Sequence, residues 1–394
     1  MNMKLSSIVL LFLLLCCCKN EKTSSLVTLD VLSPDGPELT NLSEIASDIQ
    51  YIPLETTPKA LMRFLMYLKA TEDKYYFNTV QELLCFDKNG KFLYKLDSQG
   101  RGPEEYTYLS DYDILPGKKL VIVLASVSGK LLFYNETDSG FKYLRKLDVK
   151  VHPRYCDFIS DQDNILLSYT SADGQNKYQC VVINQNGDTL FKRLNYYKFT
   201  RNSKVVMGFG IDNVINRTNE TLRIKGFLTD TMFTITNDYK FVPYLILNTA
   251  GHGITADFLA NVPLTDPNSG SPAAKFLMLS EILELDRYLL FRYYYEKVNN
   301  WNVYDKKSGV TSYFDTKKLL QDDISGGINI EPKFCYDGVL YSWTDALTFK
   351  KIMSEKAKQS TGLKNQKRAD EVQRLAETIK DDDNHILIVI TPKK

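Results

Sequence analysis

Histidine is the scarcest chemically versatile residue in the chain: His152, His252 and His385 are the only three among 394 residues. No two of them have the spacing of metal ligands, and each is expected to be incidental. Ser, His and Asp do not follow the order of a hydrolytic triad, and no nucleophile elbow is present, so no residue set compels a catalytic reading. CxxC pairs are missing too. Three of the seven cysteines are adjacent at Cys16, Cys17 and Cys18, while Cys85, Cys156, Cys180 and Cys335 are widely spaced in apolar, strand-like surroundings. Buried free thiols are therefore expected rather than disulfides or a zinc site. Neither sign of charge is in excess, with 49 basic and 48 acidic residues. That balance removes the strongest argument for a nucleic-acid partner. The acidic runs Asp161-Gln162-Asp163-Asn164 and Asp381-Asp382-Asp383-Asn384 lack the glycine and distal Glu of a calcium loop and read as solvated turns. No cofactor is indicated, calcium or another metal being the alternative.

What the N-terminus does contain is an address. Met1 to Lys4 forms a positive n-region, and Leu5 to Leu15 is an apolar run too short to span a bilayer, as in a secretory signal peptide. Leu15 at −3 and Cys18 at +1 resemble a bacterial lipobox, with Cys17 at −1 in place of the usual Gly or Ala. Residues 1–17 are read as signal, Cys18 as the lipidation site, and 18–40 as lipid attachment and tether. Two or more acyl chains at Cys18 would give stable attachment to the outer membrane. The ordinary cleaved signal and the uncleaved anchor are the alternatives.

The rest of the chain, 41–394, is periodic. Strand-like segments ending in Asp87, Asn135, Asn184, Asn237 and Asp305 each open a turn, at separations of 48, 49, 53 and 68. A second series of strands starts at Tyr75, Leu120, Ile165, Leu222, Tyr288 and Val339, each after a turn signal such as Pro116-Gly117 or Asp337-Gly338. Six recurrences of this length predict an all-β, six-bladed β-propeller of four-stranded antiparallel blades. Blade two, for example, reads as strands near 108–115, 120–125, 130–135 and 141–149. Insertions lengthen the fourth and fifth repeats around Met207 to Thr218 and Gly251 to Ala273, the latter read as a long surface loop. The Ala-, Lys- and Glu-rich stretch 347–380 predicts a helical insertion near the C-terminus. The sixth blade then lacks an outer strand, which Ile49 to Glu55 would supply, closing the ring with strands from both termini.

Three motifs carry a resemblance. Ile49-Gln50-Tyr51-Ile52-Pro53-Leu54-Glu55-Thr56, the Phe86-Asp87…Gly90-Lys91-Phe92 turn and the corner Gly100-Arg101-Gly102-Pro103-Glu104-Glu105-Tyr106 together resemble the six-bladed β-propeller lipoproteins of Bacteroidetes-type bacteria. The resemblance implies the fold and the envelope address, and names no ligand. Here Glu104 stands where the family's corner carries a third glycine, so a positive φ at that position would require local rearrangement.

The residues themselves offer a modest set of binding candidates. Arg101 suits a carboxylate or phosphate, and Glu105 and Tyr106 suit sugar hydroxyls, while the bland reading has the same corner merely shaping a blade crossing. His152 and Arg154 occupy the equivalent crossing one repeat later. The aromatics Tyr293, Tyr294, Tyr295, Trp301 and Trp343 are mostly packing, with one or two free to stack on a sugar. The expectation is a monomeric, lipid-anchored envelope protein that binds a glycan, peptide or partner protein without catalysis. A channel-centred lyase or hydrolase using a metal or an Arg, Tyr and His set, and a structural subunit of an outer-membrane nutrient-uptake assembly, are the alternatives.

Overall fold

The computed structural model describes residues 26–63, 65–149, 152–159, 163–170, 174–203, 213–218, 221–262, 271–356 and 362–394. The signal segment and Cys18 lie outside the described residues, as do Asp161 and Gln162. Six sheets form a ring, each with four antiparallel strands. Blade 1 contains Tyr67–Ala70, Lys74–Asn78, Leu83–Asp87 and Phe92–Leu96. Blade 2 contains Asp111–Leu115, Leu120–Ala125, Lys130–Thr137 and Gly140–Asp148, close to the expected boundaries. The innermost strands of blades 3 to 6 are Tyr155–Phe158, Asn213–Thr218, Met278–Glu284 and Phe334–Tyr336.

The burial pattern explains why the strands read as they do. Both faces of a blade are covered by its neighbours, so an inner strand cannot alternate between core and water. Leu120–Ala125 is accordingly apolar and buried at all six positions. Outer strands recover the period of two, as Thr189–Leu194 does. Trp301 is fully buried and stacks on Phe314 with ring centroids 6.0 Å apart. Cys85, Cys156, Cys180 and Cys335 are free and buried.

The N-terminus closes the ring. Ala46–Pro53 pairs with Ile386–Pro392 as the outer strand of blade 6. Two of the family motifs meet here: Glu55 N–H donates to Gly90 O at 2.8 Å, and Phe92 N–H donates to the Glu55 carboxylate at 2.8 Å. Gly90 has φ of +84°, and a Cβ there would lie 2.2 Å from the Pro53 carbonyl, so both conformation and contact demand glycine. Asn384, at the end of the second acidic run, clips the same segment. Its side chain accepts from Met62 N–H and donates to the Glu55 and Ala60 carbonyls. The helical insertion is two helices, Ala346–Lys356 and Gln366–Thr378, whose Phe349, Met353 and Val372 pack on blade 6. No helix among the described residues is long and apolar enough to cross a membrane.

Three boundaries differ from the expectation. Residues 27–40 are not free tether. Val27–Asp30 adds a fifth, parallel strand to blade 4 beside Phe241–Asn248, and 36–41 runs along the outer edge of blade 5. The apolar Leu29, Val31 and Leu39 are what bury it. Within Met207 to Thr218, Asn213–Thr218 is the inner strand of blade 4 rather than insertion. Within Gly251 to Ala273, helix Ala256–Ala260 is capped by Thr255 and buries Phe258 and Leu259 in a small core of its own, so it is not a plain surface loop.

Candidate functional site

The six inner strands present their alternate residues to the central channel, and one layer of it is charged. Lys69 Nζ lies 2.8 Å from Asp113 Oδ1 and 3.0 Å from Asp157 Oδ1. Arg217 Nη2 lies 3.1 Å from Asp113 Oδ2 and donates to Phe158 O at 2.6 Å. Asp113 Oδ2 also accepts from Phe158 N–H at 2.7 Å. Burial by itself would raise the Asp113 carboxyl, but Lys69 and Arg217 outweigh it and hold the group below its usual range. The same pairing overcomes the burial of Lys69 and raises its amine. These groups form a floor that divides the channel.

Above the floor, on the side where the chain crosses between blades, is a cavity of about 230 Å³. Tyr67, Asp111, Tyr155, Asn213, Glu281, Lys333 and Phe334 line it, with Lys69, Asp157 and Arg217 beneath. Below the floor a second recess of about 380 Å³ opens among the hairpins, and Arg217 and Tyr336 border both.

Asp111 is the anomaly of the upper cavity. Only 5% exposed, it accepts from Cys156 N–H at 2.8 Å and has no ion-pair partner among the described residues. Burial raises its carboxyl to about 7, Lys69 opposing and Asp157 assisting. A carboxyl in that state can accept hydrogen bonds, neutralise an incoming cation, or exchange a proton near neutrality.

The residues expected from the sequence lie elsewhere. Glu105 accepts from Gly102 N–H at 2.8 Å, and Lys130 Nζ donates to the Gly102 and Glu105 carbonyls at 2.7 and 3.1 Å. Tyr106 is fully buried and donates to Leu96 O at 3.1 Å. A Cβ on Gly100 would meet the Glu105 carboxylate at 1.9 Å, so the glycine is set by close approach; Glu104 has no positive φ. Arg101 is exposed. The corner thus clamps blade 1 to blade 2. His152 Nδ1 is 2.6 Å from Ser126 O, and Arg154 N–H donates to Ser168 O at 2.6 Å beside Tyr155. None of these five lines the upper cavity. His252 contacts the Tyr295 hydroxyl at 3.1 Å, and His385 is half-buried and shifted down by that burial. Among the described residues no group of three His, Cys, Asp or Glu is placed to hold a metal.

The channel residues carried a signal that the strand pattern obscured. Asp113 follows Lys69 by 44 residues, and Asp157 follows Lys69 by 88. A charged residue recurs at one phase of three successive repeats, each time between apolar or aromatic neighbours.

The comparisons agree with this ring. A protein of Bacteroides fragilis described as a candidate exported protein superposes with a TM-score of 0.67 at 18% identity, over 93% of this chain and 99% of that one. A member of the DUF4221 family from Bacteroides vulgatus gives 0.51 at 11% identity, over 88% and 97%. At these identities the likeness concerns the fold alone. No functionally curated protein matches the sequence. The family model described as Domain of unknown function (DUF4934) matches residues 26–391, from the strand added to blade 4 to the strand that closes blade 6, and the chain belongs to that family.

Proposed function

We propose that the protein is a lipid-anchored binding protein of the cell envelope, attached through Cys18, that takes a small ligand or the exposed end of a glycan or peptide into the upper channel without transforming it. One observation carries this reading. Of the three carboxylates that line the cavity, Asp157 is paired with Lys69 and Glu281 with Arg292, and Asp111 is the one without an ion-pair partner among the described residues. A ligand offering N–H or O–H donors, and above all a positive charge, supplies what Asp111 lacks. Tyr67, Tyr155 and Phe334 give flat faces beside it, suited to a sugar ring or a cationic head. An amino sugar or a basic peptide side chain meets both conditions. Arg154, next to Tyr155, is the member of the expected set that adjoins the lining. The address rests on the signal-like start of the sequence, and the resemblance to envelope lipoproteins agrees with it.

The test is calorimetric titration with glucosamine, lysine and glucose at pH 6 and pH 8. Glucosamine or lysine should bind, more tightly at pH 8 where Asp111 is ionised, and Asp111→Asn should abolish the binding. Equal binding of glucose by both proteins would overturn the reading. Replacing Cys18 by Ala should release the protein from membranes.

The raised carboxyl of Asp111 favours a second reading, a lyase or hydrolase in which this residue exchanges a proton with substrate. Turnover of a bound probe that disappears in Asp111→Asn would select it.

A further inference from the structure

Lys225 stands apart from the other cations of the ring. It lies on the second strand of blade 4, Thr221–Gly226, between Val214 and Met232 of the neighbouring strands. Its side chain is buried, 6% exposed, and among the described residues its amine makes one hydrogen bond, to the Gly226 carbonyl at 3.2 Å. No carboxylate is within ion-pair distance of it among the described residues, whereas the buried Lys69 has two. The acid that acts on it, Asp230, already accepts from the Thr249 N–H and hydroxyl at 3.2 and 2.9 Å.

Around Lys225 is a cavity of about 60 Å³ between blades 4 and 5. Its walls include Val214, Phe227, Ile254, Leu277 and Ile282, and Asp230 is among the lining residues. One water needs roughly 10–15 Å³ on this scale, so the space admits a small organic molecule. An ammonium held in such walls by one neutral acceptor loses its hydration without compensation. Burial pushes the Lys225 amine down to about 8, against the smaller opposing effect of Asp230. A substantial fraction of the side chain is then neutral amine near physiological pH, and desolvation of this kind activates lysine as a nucleophile.

We propose that Lys225 is a reactive amine that condenses with small aldehydes entering the cavity between blades 4 and 5. The amine lone pair forms a C–N bond to the carbonyl carbon, and the carbonyl oxygen takes up a proton as the nitrogen loses one. The resulting carbinolamine loses its hydroxyl with a proton as water, leaving a C=N bond; Asp230 lines the same cavity. Lysine and aldehyde give imine and water, with no change of oxidation state. The site adjoins the Asp111 cavity across Val214 and Ile282, but its chemistry does not use Asp111.

The test is reductive labelling of the intact protein with propanal and sodium cyanoborohydride across pH 6.5 to 9.5, read by peptide mass mapping. Lys225 should be alkylated at least ten-fold faster than the median exposed lysine at pH 7.5, with a rate that levels off above about pH 8. Lys225→Met should remove the fast adduct and leave the slow ones. Labelling of Lys225 no faster than that of exposed lysines, or a rate still climbing at pH 9.5, would overturn the proposal. Both outcomes are read on the unmodified chain, whether or not the variant folds.

Discussion

Asp111 and Asp113 sit two residues apart on one strand, both buried and both facing the channel, yet burial raises the first while the second is held low. The difference lies in their company. Asp113 at the floor has Lys69 and Arg217 in direct contact; Asp111 at the mouth has backbone N–H groups and, among the described residues, no cation in ion-pair contact. Counter-charge, not depth, decides which carboxylate is held ionised and which is held protonated toward neutrality.

The largest effect should come from breaking the floor. Lys69→Met strips Asp157 of its cation and Asp113 of one of two, and should cost about 3–5 kcal/mol in urea denaturation. A loss below about 1 kcal/mol would mean that the floor is not held by counter-charge. Next is Asp111→Asn, which keeps the acceptor for Cys156 N–H and removes the charge. A raised carboxyl contributes stability that is fully present below its unfolded value of 3.8 and is lost as pH rises through about 7. The variant should therefore match the parent near pH 4 and exceed it by about 4 kcal/mol at pH 8, seen as a flatter dependence of melting temperature on pH. An unchanged slope would place the anomaly elsewhere. Smaller still is Gly100→Ala, which displaces the Glu105 carboxylate from Gly102 N–H and should cost about 1 kcal/mol without altering ligand titration. Arg101→Ala should change stability by less than about 0.5 kcal/mol and leave binding intact. A binding loss in Arg101→Ala would move the site from the channel to the corner.

The contrast also explains what could be read in advance. Blade count, the second-strand series, the helical insertion and ring closure by Ile49 to Glu55 were legible because turn chemistry and apolar runs repeat along the chain. The channel was not, because its residues come singly from six strands far apart in sequence. Lys69 between Leu68 and Ala70, or Asp157 between Cys156 and Phe158, looks like an isolated polar intrusion until the ring aligns them. The corner drew attention for the opposite reason: glycines and charges cluster locally wherever a backbone turns sharply, and Glu105 serves that turn. Val27–Asp30 escaped notice because four residues carry too little pattern to separate a strand from a tether.

The way the N-terminal segment laces blades 4, 5 and 6 bears on the order of synthesis. Val27–Asp30 and Ala46–Pro53 leave the ribosome first, but their partners Phe241–Asn248 and Ile386–Pro392 come some two hundred and more than three hundred residues later. Contacts of such separation form late. The ring therefore stays open until nearly the whole chain exists, and the strand pairs that join its two ends lock it last.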